Sequence, residues 1–141
     1  MYNHLLVPVD LDHPACSDKA MRSARQIAAA CDAVLHVMTV VAPLDSFTAT
    51  LFPHGFSRQV TETVREKLHA YTEKAALQGL NVQHIVAHGA IYDQILTIAK
   101  RVDADLIVMA SHRPELSDYL LGPNAAKVVR HANCSVMVVR D

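Results

Sequence analysis

Short continuous runs of apolar, often β-branched residues recur along this chain, separated by longer stretches in which apolar residues follow a helical period. A continuous apolar run is typical of a strand that is buried on both faces, as in a parallel sheet. On this pattern we predict five strands, over residues 4–9, 33–41, 82–87, 106–110 and 135–139.

The stretches between these runs place apolar residues three and four positions apart, which is the period of an amphipathic helix. In the first stretch the apolar stripe consists of Ala20, Ala24, Ile27 and Cys31. The same spacing predicts four helices, over residues 17–30, 57–78, 92–101 and 123–131.

Two of these helices carry more specific expectations. Gly79 is expected to end the longest helix, since glycine readily adopts the left-handed conformation found just after a helix. The irregular segment 42–56, which precedes that helix, is a candidate lid or binding loop because of its length. In the last helix, the side chains expected to face the core are Ala125, Val128, Val129 and Ala132.

The strict alternation of strands and helices predicts an α/β fold, a doubly wound five-stranded parallel sheet with helices on both faces. We expect the strand order 3-2-1-4-5 and a single domain that spans residues 1–141. This order puts strands 1 and 4 side by side at the switch point of the sheet, where ligands of such folds usually bind. Asp10 would then face residues 110–113 across one crevice.

The charge balance and the lengths of the apolar runs restrict the function classes. Lys and Arg total 13 and Asp and Glu 14, a formal net charge of −1, so no basic excess marks a nucleic-acid-binding surface. The apolar runs are far shorter than a membrane span, and the start, MYNHLLVPVD, lacks the pattern of a signal peptide. We therefore expect a cytoplasmic protein that neither inserts into membranes nor binds nucleic acid.

The loop between strand 4 and the last helix has the chemistry of an anion site. Gly122, Pro123 and Asn124 open the helix, and the N–H groups of a helix N-terminus favour a phosphate, although most such starts are plain caps. Pro123 suits the first helical position but removes one N–H donor. Arg113 can bind phosphate through two parallel hydrogen bonds or be a solvated loop residue, and His112 can donate to phosphate or cap the strand end.

Asp10 and the histidines leave other roles open. At the end of strand 1, Asp10 either accepts from a base or ribose, binds a metal through water, or holds the turn before the first helix. His84 and His88 lie four apart on a predicted strand, which is not the spacing of a helical metal pincer, so no metal site is expected. No catalytic triad, nucleophile elbow or GxxxxGK[ST] loop occurs, so no catalytic residue is assigned.

Four segments together resemble the universal stress protein family in its single-domain bacterial form, and the resemblance covers essentially the whole chain. They are HLLVPVD at the start, LHVMTVV in strand 2, the turn at Gly89, and DLIVMASHRP…YLLGPNAAKVVRHANCSVMVVR at the end. The ASHRP and YLLG-x-NAA forms are most similar to the F/G-like branch of that family.

The phosphate loop departs from the pattern G-x2-G-x9-G-[S/T] that nucleotide-binding members of the family carry. Ala110 and Arg113 stand at the first two glycine positions, the next spacer is one residue shorter, and Pro123 replaces the Ser or Thr after Gly122. Members of the F/G-like branch have a similar loop and include ATP binders. In a chain that binds ATP through such a loop, the Arg113 side chain would make the contact that the backbone of the second glycine makes in other members.

The resemblance implies that the chain binds ATP or another adenine nucleotide, with or without Mg²⁺. The residues carried over for the adenosine are Pro8, Val9, Asp10, Val37 and Gly89. Those carried over for the ribose and phosphates are Met109, Ala110, His112, Arg113, Gly122, Pro123 and Asn124. A homodimer paired through the last strand, Ser135–Val139, is also implied, and it agrees with the need to cover an apolar strand at a sheet edge.

Three functions follow as hypotheses. The first is an ATP-binding regulator of the stress response that acts as a homodimer. The second is a nucleotide-free module of the same fold that binds an unknown protein partner through the dimer surface or segment 42–56. The third is an enzyme that slowly hydrolyses ATP or phosphorylates itself. Bound nucleotide would distinguish the first from the second.

Overall fold

The computed structural model describes residues 1–42, 51, 55–111 and 122–140. These residues form five strands, β1 (His4–Pro8), β2 (Val34–Val41), β3 (Val82–His88), β4 (Leu106–Ala110) and β5 (Ser135–Val139). Every pairing is parallel, and the order in the sheet is β3-β2-β1-β4-β5. The predicted parallel sheet and its strand order are confirmed.

The helices of the described ranges are α1 (Asp18–Cys31), α2 (Phe56–Lys74), α3 (Ile91–Arg101) and α4 (Gly122–His131), with a short 3-10 turn, Pro14–Ser17, before α1. The chain moves from β1 to β3 in one direction and then through β4 to β5 in the other. Right-handed crossovers therefore put α1 and α2 on one face and α3 and α4 on the other. In these ranges no helix has the length and apolar character that crossing a membrane requires.

The longest helix, α2, ends earlier than its pattern predicts. It stops at Lys74 rather than just before Gly79, and Ala76 adopts a left-handed φ of 55°. The turn that follows buries Leu77 in the core and is closed by the N–H of Leu80, which donates to the carbonyl of Leu77. The helix therefore ends where the chain turns to bury Leu77, and not at Gly79. Segment 42–56 lies mostly outside the described residues.

The core is aliphatic and centred on β1 and β4, which have neighbouring strands on both sides. Their side chains include Leu5, Leu6, Ile107 and Met109, all without exposed surface. On α1, small side chains recur every fourth residue at Ala20, Ala24 and Ala28, and all three are buried. Small residues let a helix pack close to the sheet without leaving voids.

One residue predicted to face the core lies on the surface instead. Val129 of α4 is 53% exposed, whereas Ala125 and Val128 are buried and Ala132 packs against the core. The buried residues form one narrow stripe at spacings of three and four. Val129 lies about 100° further around the helix than Val128, which carries its side chain out of that stripe.

Candidate functional site

At the carboxyl edge of the sheet, β1 and β4 part before either strand ends. The ladder between them stops at the pair Leu6 and Ile107. Beyond that pair, β1 stays paired with β2 through Pro8, and β4 stays paired with β5 through Ala110. Pro8 has no N–H with which to continue a ladder. The two central strands therefore leave a crevice at the predicted switch point.

Asp10, directly after β1, holds a tight turn beside this crevice. Its side chain is 4% exposed, and its Oδ1 accepts the backbone N–H groups of Asp12 at 2.9 Å and His13 at 3.3 Å. Its own N–H donates to Oγ of Ser17 at 3.2 Å. Of the roles left open for Asp10, the turn-holding one is present in the structure. It leaves the carboxylate fixed in position with further acceptor capacity.

The end of β1 is supported by β2. The N–H of Val9 donates to the carbonyl of Met38 at 2.8 Å, and Oγ1 of Thr39 donates to the carbonyl of Val9 at 3.1 Å. Pro8 and Val9 are buried, and Val37 of β2 has no exposed surface. These three predicted ligand contacts are therefore core residues that support the wall of the crevice.

Gly89 follows β3 at the same edge of the sheet, two strands away from β1. Its N–H donates to the carbonyl of Val41 at 3.1 Å, and its φ of 137° is a conformation that residues with a Cβ rarely adopt. A Cβ at this position would lie 3.1 Å from Nε2 and 3.2 Å from Cγ of Gln94. Both the backbone and the space at the start of α3 therefore require glycine here.

On the other side of the crevice, β4 ends with two buried residues predicted to contact the ribose and phosphates. Met109 is 0% and Ala110 is 3% exposed, and the N–H of the following Ser111 donates to the carbonyl of Val139 at 2.7 Å. This bond extends the β4–β5 pairing by one residue. His112 and Arg113, the next two predicted contacts, lie outside the described residues.

The first turn of α4 contains the three remaining predicted contacts, Gly122, Pro123 and Asn124. Pro123 is exposed, and Oδ1 of Asn124 accepts the backbone N–H of Tyr92 at 3.1 Å. Nζ of Lys127, one turn later, lies 4.8 Å from the centre of the Tyr92 ring. The start of α4 is thereby attached to the start of α3, three residues after Gly89. Tyr92 thus links Asn124, through a hydrogen bond, to the segment that begins at Gly89.

Three polar residues that shape this edge were not among the predicted site residues. They are Ser17, which accepts the Asp10 N–H, Thr39, which donates to the Val9 carbonyl, and Tyr92, which donates to Asn124. Ser17 stands directly before α1, which is the sequence signal of a helix cap, yet it makes no cap bond to the helix. Only the fold reveals its actual partner.

The histidine pair considered as a metal site is engaged by α2. Nε2 of His84 lies 2.8 Å from Oγ1 of Thr72, and its ring stacks on His69 with centroids 3.7 Å apart. Nε2 of His88 lies 2.9 Å from Oγ1 of Thr61. Burial, then the nearby His69 and Arg65, lower the pKa of His84, so its neutral form is favoured. Among the residues described, no three His, Cys, Asp or Glu side chains form a metal-binding group.

Comparison with known sequences identifies a family. The model of the universal stress protein family matches residues 1–140. Universal stress protein G of Shigella flexneri is 32% identical over 143 residues, which cover 99% of this chain and 100% of that protein. Universal stress protein YxiE of Bacillus subtilis is 30% identical over 150 residues, again covering 99% and 100% of the two chains.

Solved structures share the fold at lower identity. The hypothetical protein MJ0577 matches with a TM-score of 0.80 at 22% identity, covering 100% of this chain and 97% of that one. A universal stress protein in complex with cAMP matches with a TM-score of 0.69 at 23% identity, covering 98% and 97%. These solved structures share the fold of this chain. Because the family model matches residues 1–140 and a relative is 32% identical over its full length, the chain belongs to the universal stress protein family.

Proposed function

We propose that this universal stress protein is a cytoplasmic regulator of the stress response that binds ATP or another adenine nucleotide between β1 and β4. The observation that carries the proposal is the early parting of these strands, with the buried Asp10 turn after β1 on one side and the buried end of β4 on the other. A crevice with apolar walls and a few fixed polar groups is the usual form of a small-molecule site.

On the adenosine side, the proposal uses the ends of the first three strands. Pro8, Val9 and Asp10 border the nucleoside, Val37 lies behind the adenine, and Gly89 approaches the base or ribose. The Asp10 carboxylate accepts two backbone N–H groups at one oxygen, and an ionised carboxylate has about four acceptor positions. It therefore retains the capacity to accept a ribose hydroxyl.

On the phosphate side, the proposal uses the end of β4 and the start of α4. The first N–H groups of a helix have no acceptor within that helix, and the positive end of its dipole favours an anion. In α4 these groups include the N–H of Asn124 and not that of Pro123, which has none. The proposed ribose and phosphate contacts are Met109, Ala110, His112, Arg113, Gly122, Pro123 and Asn124.

The cAMP complex of a structural relative supports the adenine-nucleotide class. Mg²⁺, where it accompanies the nucleotide, would be bound chiefly by phosphate oxygens and water, as is usual for this ion.

The proposed assembly is a homodimer paired through β5. Among the described strands this one pairs with β4 alone, so it forms an edge of the sheet. Its Met137 and Val138 are 38% and 37% exposed. Exposed apolar side chains on an edge strand favour pairing with another chain. Pairing of two such edges across a two-fold axis would satisfy their backbone groups and cover these side chains.

A second candidate function is a nucleotide-free module that binds a protein partner. The observations that favour it are the complete burial of Val37 and Met109 and the engagement of the Asn124 oxygen by Tyr92. Pro123 also removes one donor from the turn that would bind phosphate. In this alternative the crevice is a remnant, and the dimer surface or segment 42–56 binds the partner.

Bound nucleotide separates the two functions. Freshly purified protein is denatured and the supernatant is analysed for adenine nucleotides by chromatography, and the stripped, refolded protein is titrated calorimetrically with ATP and with adenosine. The proposal expects an adenine nucleotide in the supernatant or saturable heat with ATP. The absence of both at millimolar ATP would leave the interaction module as the function.

A variant tests the phosphate side separately. Arg113→Ala is expected to weaken ATP more than adenosine, because adenosine has no phosphate for the guanidinium to bind. Arg101→Ala is the matched control, since Arg101 is exposed at the end of α3, and it should change neither affinity. Equal losses of ATP and adenosine affinity in Arg113→Ala would contradict a phosphate role.

A further inference from the structure

A second cavity lies away from the crevice, in the cleft between α1 and α2. Its volume is about 510 Å³, which falls within the range of small-molecule sites, roughly 300–1,000 Å³. The α1 side includes the 3-10 turn that leads into this helix, and the α2 side is the last turn of the helix and the residues after it. The polar residues that line the cleft are Asp18, Arg22, Arg25, Tyr71 and Lys74.

The cleft has a local excess of positive charge that the rest of the chain does not share. Arg22, Arg25 and Lys74 face a single carboxylate, Asp18, although the chain as a whole has a formal charge of −1. Within the ranges that the structure describes, none of these three cations has an ion pair or a hydrogen bond from its side chain. Cations without partners on one cleft are suited to an anionic ligand.

The one carboxylate of the cleft is already engaged by a neighbour. The Tyr71 hydroxyl donates to Oδ1 of Asp18 at 3.2 Å. Burial, and then Asp18, raise the pKa of Tyr71, so the phenol stays protonated and remains a donor at physiological pH. Asp18 is thereby held against α2 by one of its two oxygens.

The remaining walls of the cleft are apolar. Met21 is 2% exposed, and Pro14, Ala15, Ala75 and Ala76 complete the lining together with the ring of Tyr71. An apolar surface next to three cations distinguishes this cleft from a patch that would collect inorganic ions only. It favours a ligand that carries an apolar or aromatic body as well as its charge.

We propose that the cleft between α1 and α2 binds a small organic phosphate, that is, a phosphate monoester on an aromatic or apolar body. A phosphate monoester has a charge of about −1.5 to −2 at pH 7 and three strong acceptor oxygens. A lone carboxylate has one charge and fits three cations less well. Arg22 and Arg25 lie three residues apart on one helix, where both side chains project from the same face, and guanidinium groups bind phosphate oxygens through paired hydrogen bonds.

The proposal is independent of nucleotide binding at the switch point. The two regions are joined by a short segment, since Pro14 follows the turn that Asp10 holds, but they share no lining residue. ATP is a poor probe of the cleft, because its phosphates could bind at either region. Phenyl phosphate is a better probe, with inorganic phosphate and phenol as its two halves.

The test is a titration of the ¹⁵N-labelled full chain, followed by the chemical shifts of backbone amides. Phenyl phosphate is expected to perturb amides of residues 15–25 and 71–76 and to bind about tenfold or more tightly than inorganic phosphate or phenol, since each half has only part of the contacts. Shifts confined to Asp10, Gly89 and Asn124 would overturn the proposal, because they would assign the probe to the crevice. Equal binding of inorganic phosphate would show an adventitious ion only.

Matched double variants assign the cations. Arg22→Gln with Arg25→Gln is expected to weaken phenyl phosphate about tenfold or more, the loss expected for charge-assisted hydrogen bonds. Arg101→Gln with Arg130→Gln removes the same charge from exposed positions outside the cleft and should leave the affinity unchanged. Similar affinity in both double variants would overturn the proposal.

Two further measurements keep the outcome interpretable. Urea unfolding of each variant checks that the fold is retained, and Lys74→Gln, at an exposed position, provides a second disruption of the cleft. A weakened affinity in Lys74→Gln supports the assignment. A hexaglutamate peptide that binds the cleft more tightly than phenyl phosphate would overturn the choice of a small organic phosphate in favour of an acidic protein segment.

Discussion

The side-chain oxygen of Asn124 accepts the backbone N–H of Tyr92 at 3.1 Å, joining the first turns of α4 and α3. The first N–H groups of a helix need partners from outside that helix, and the residue before α3, Ala90, has no side chain that could cap it. Asn124 therefore acts as a cap for a different helix. This role fixes the position of α4 relative to the Gly89 turn.

Asn124→Ala is expected to lower the free energy of unfolding by about 1 kcal/mol, the usual cost of a lost helix cap. The reason is that the Tyr92 N–H loses its acceptor. Urea unfolding followed by circular dichroism measures the change. Asn133→Ala, at an exposed position shortly after α4, is the control and should be nearly neutral; equal effects of the two changes would contradict the capping role.

Gly89→Ala is expected to destabilise the fold by about 3 kcal/mol, near the upper end for a strained backbone conformation. Its φ of 137° disfavours any Cβ, and the added atom would meet the Gln94 side chain at 3.1 Å. Gly79→Ala is the matched control, because its φ is 85° and a Cβ there meets nothing within 4 Å. It should cost about 1–2 kcal/mol, the strain of a left-handed residue alone.

The same urea experiment separates strain from contact at this turn. Adding Gln94→Ala to Gly89→Ala should recover part of the loss, because it removes the side chain that the new Cβ meets. A loss no larger than that of Gly79→Ala would mean that the space beside Gln94 adjusts freely.

Pro123→Ser is expected to tighten ATP binding if the phosphates bind at the start of α4. The change restores an N–H group and adds a hydroxyl at the first turn of the helix. Pro123→Ala is the control, since it restores the N–H alone and should give a smaller gain. Calorimetric titration with ATP measures both, and unchanged affinity in the serine variant would show that the phosphates do not bind there.

The buried His36 and the half-buried His84 are expected to make the protein less stable at mildly acidic pH. Burial, and then His4, lower the pKa of His36 below its ordinary value of 6.5, and burial, then His69 and Arg65, lower that of His84. The unfolded chain therefore takes up protons at a higher pH than the folded one does. Their contribution to stability is complete above about pH 6.5 and is lost as the pH falls below it.

Urea midpoints measured between about pH 7.5 and pH 5.5 test this dependence. His36→Gln with His84→Gln should flatten the decrease, whereas His131→Gln, at an exposed position on α4, should leave it as it is. A double variant with the slope of the original protein would assign the acid sensitivity to other groups.

Met137→Glu is expected to convert the proposed dimer to a monomer. A charge on an edge strand disfavours pairing with a second edge, because the carboxylate would be buried next to its symmetry mate. Light scattering coupled to size-exclusion chromatography gives the mass. Leu51→Glu changes another exposed apolar residue, 66% exposed, and should keep the dimer; a dimer that persists in Met137→Glu would place the interface elsewhere.

Several boundaries agree closely with the sequence pattern. The predicted strands over residues 106–110 and 135–139 coincide with β4 and β5, because each apolar run is short, β-branched and bounded by polar residues. The end of α2 and the exposure of Val129 were predicted wrongly. Both depend on which side chain reaches the core, and helical periodicity defines that only to within one position around the helix.

In the candidate site, too, some residues could be predicted from the sequence and some contacts could not. Asp10 stands out in the sequence because it directly follows an apolar run, and Gly89 because it is a glycine two residues after a predicted strand. The structure gives both an identifiable local role. The bonds of Asp10 to Ser17 and of Tyr92 to Asn124 do not stand out. Serine before a helix signals a cap of that helix, and nothing local indicates a partner 32 residues away.

The sequence by itself determined the order of strands and helices and the edge of the sheet at which ligands are expected, since periodicity and short right-handed connections are local properties of the chain. It also determined the family, through the segments that resemble universal stress proteins and the match over residues 1–140. Only the tertiary structure decided where β1 and β4 part, which residue caps α3, and which cations share the cleft between α1 and α2. These features arise from packing between segments that are distant along the chain, and their geometry exists only once the core has closed.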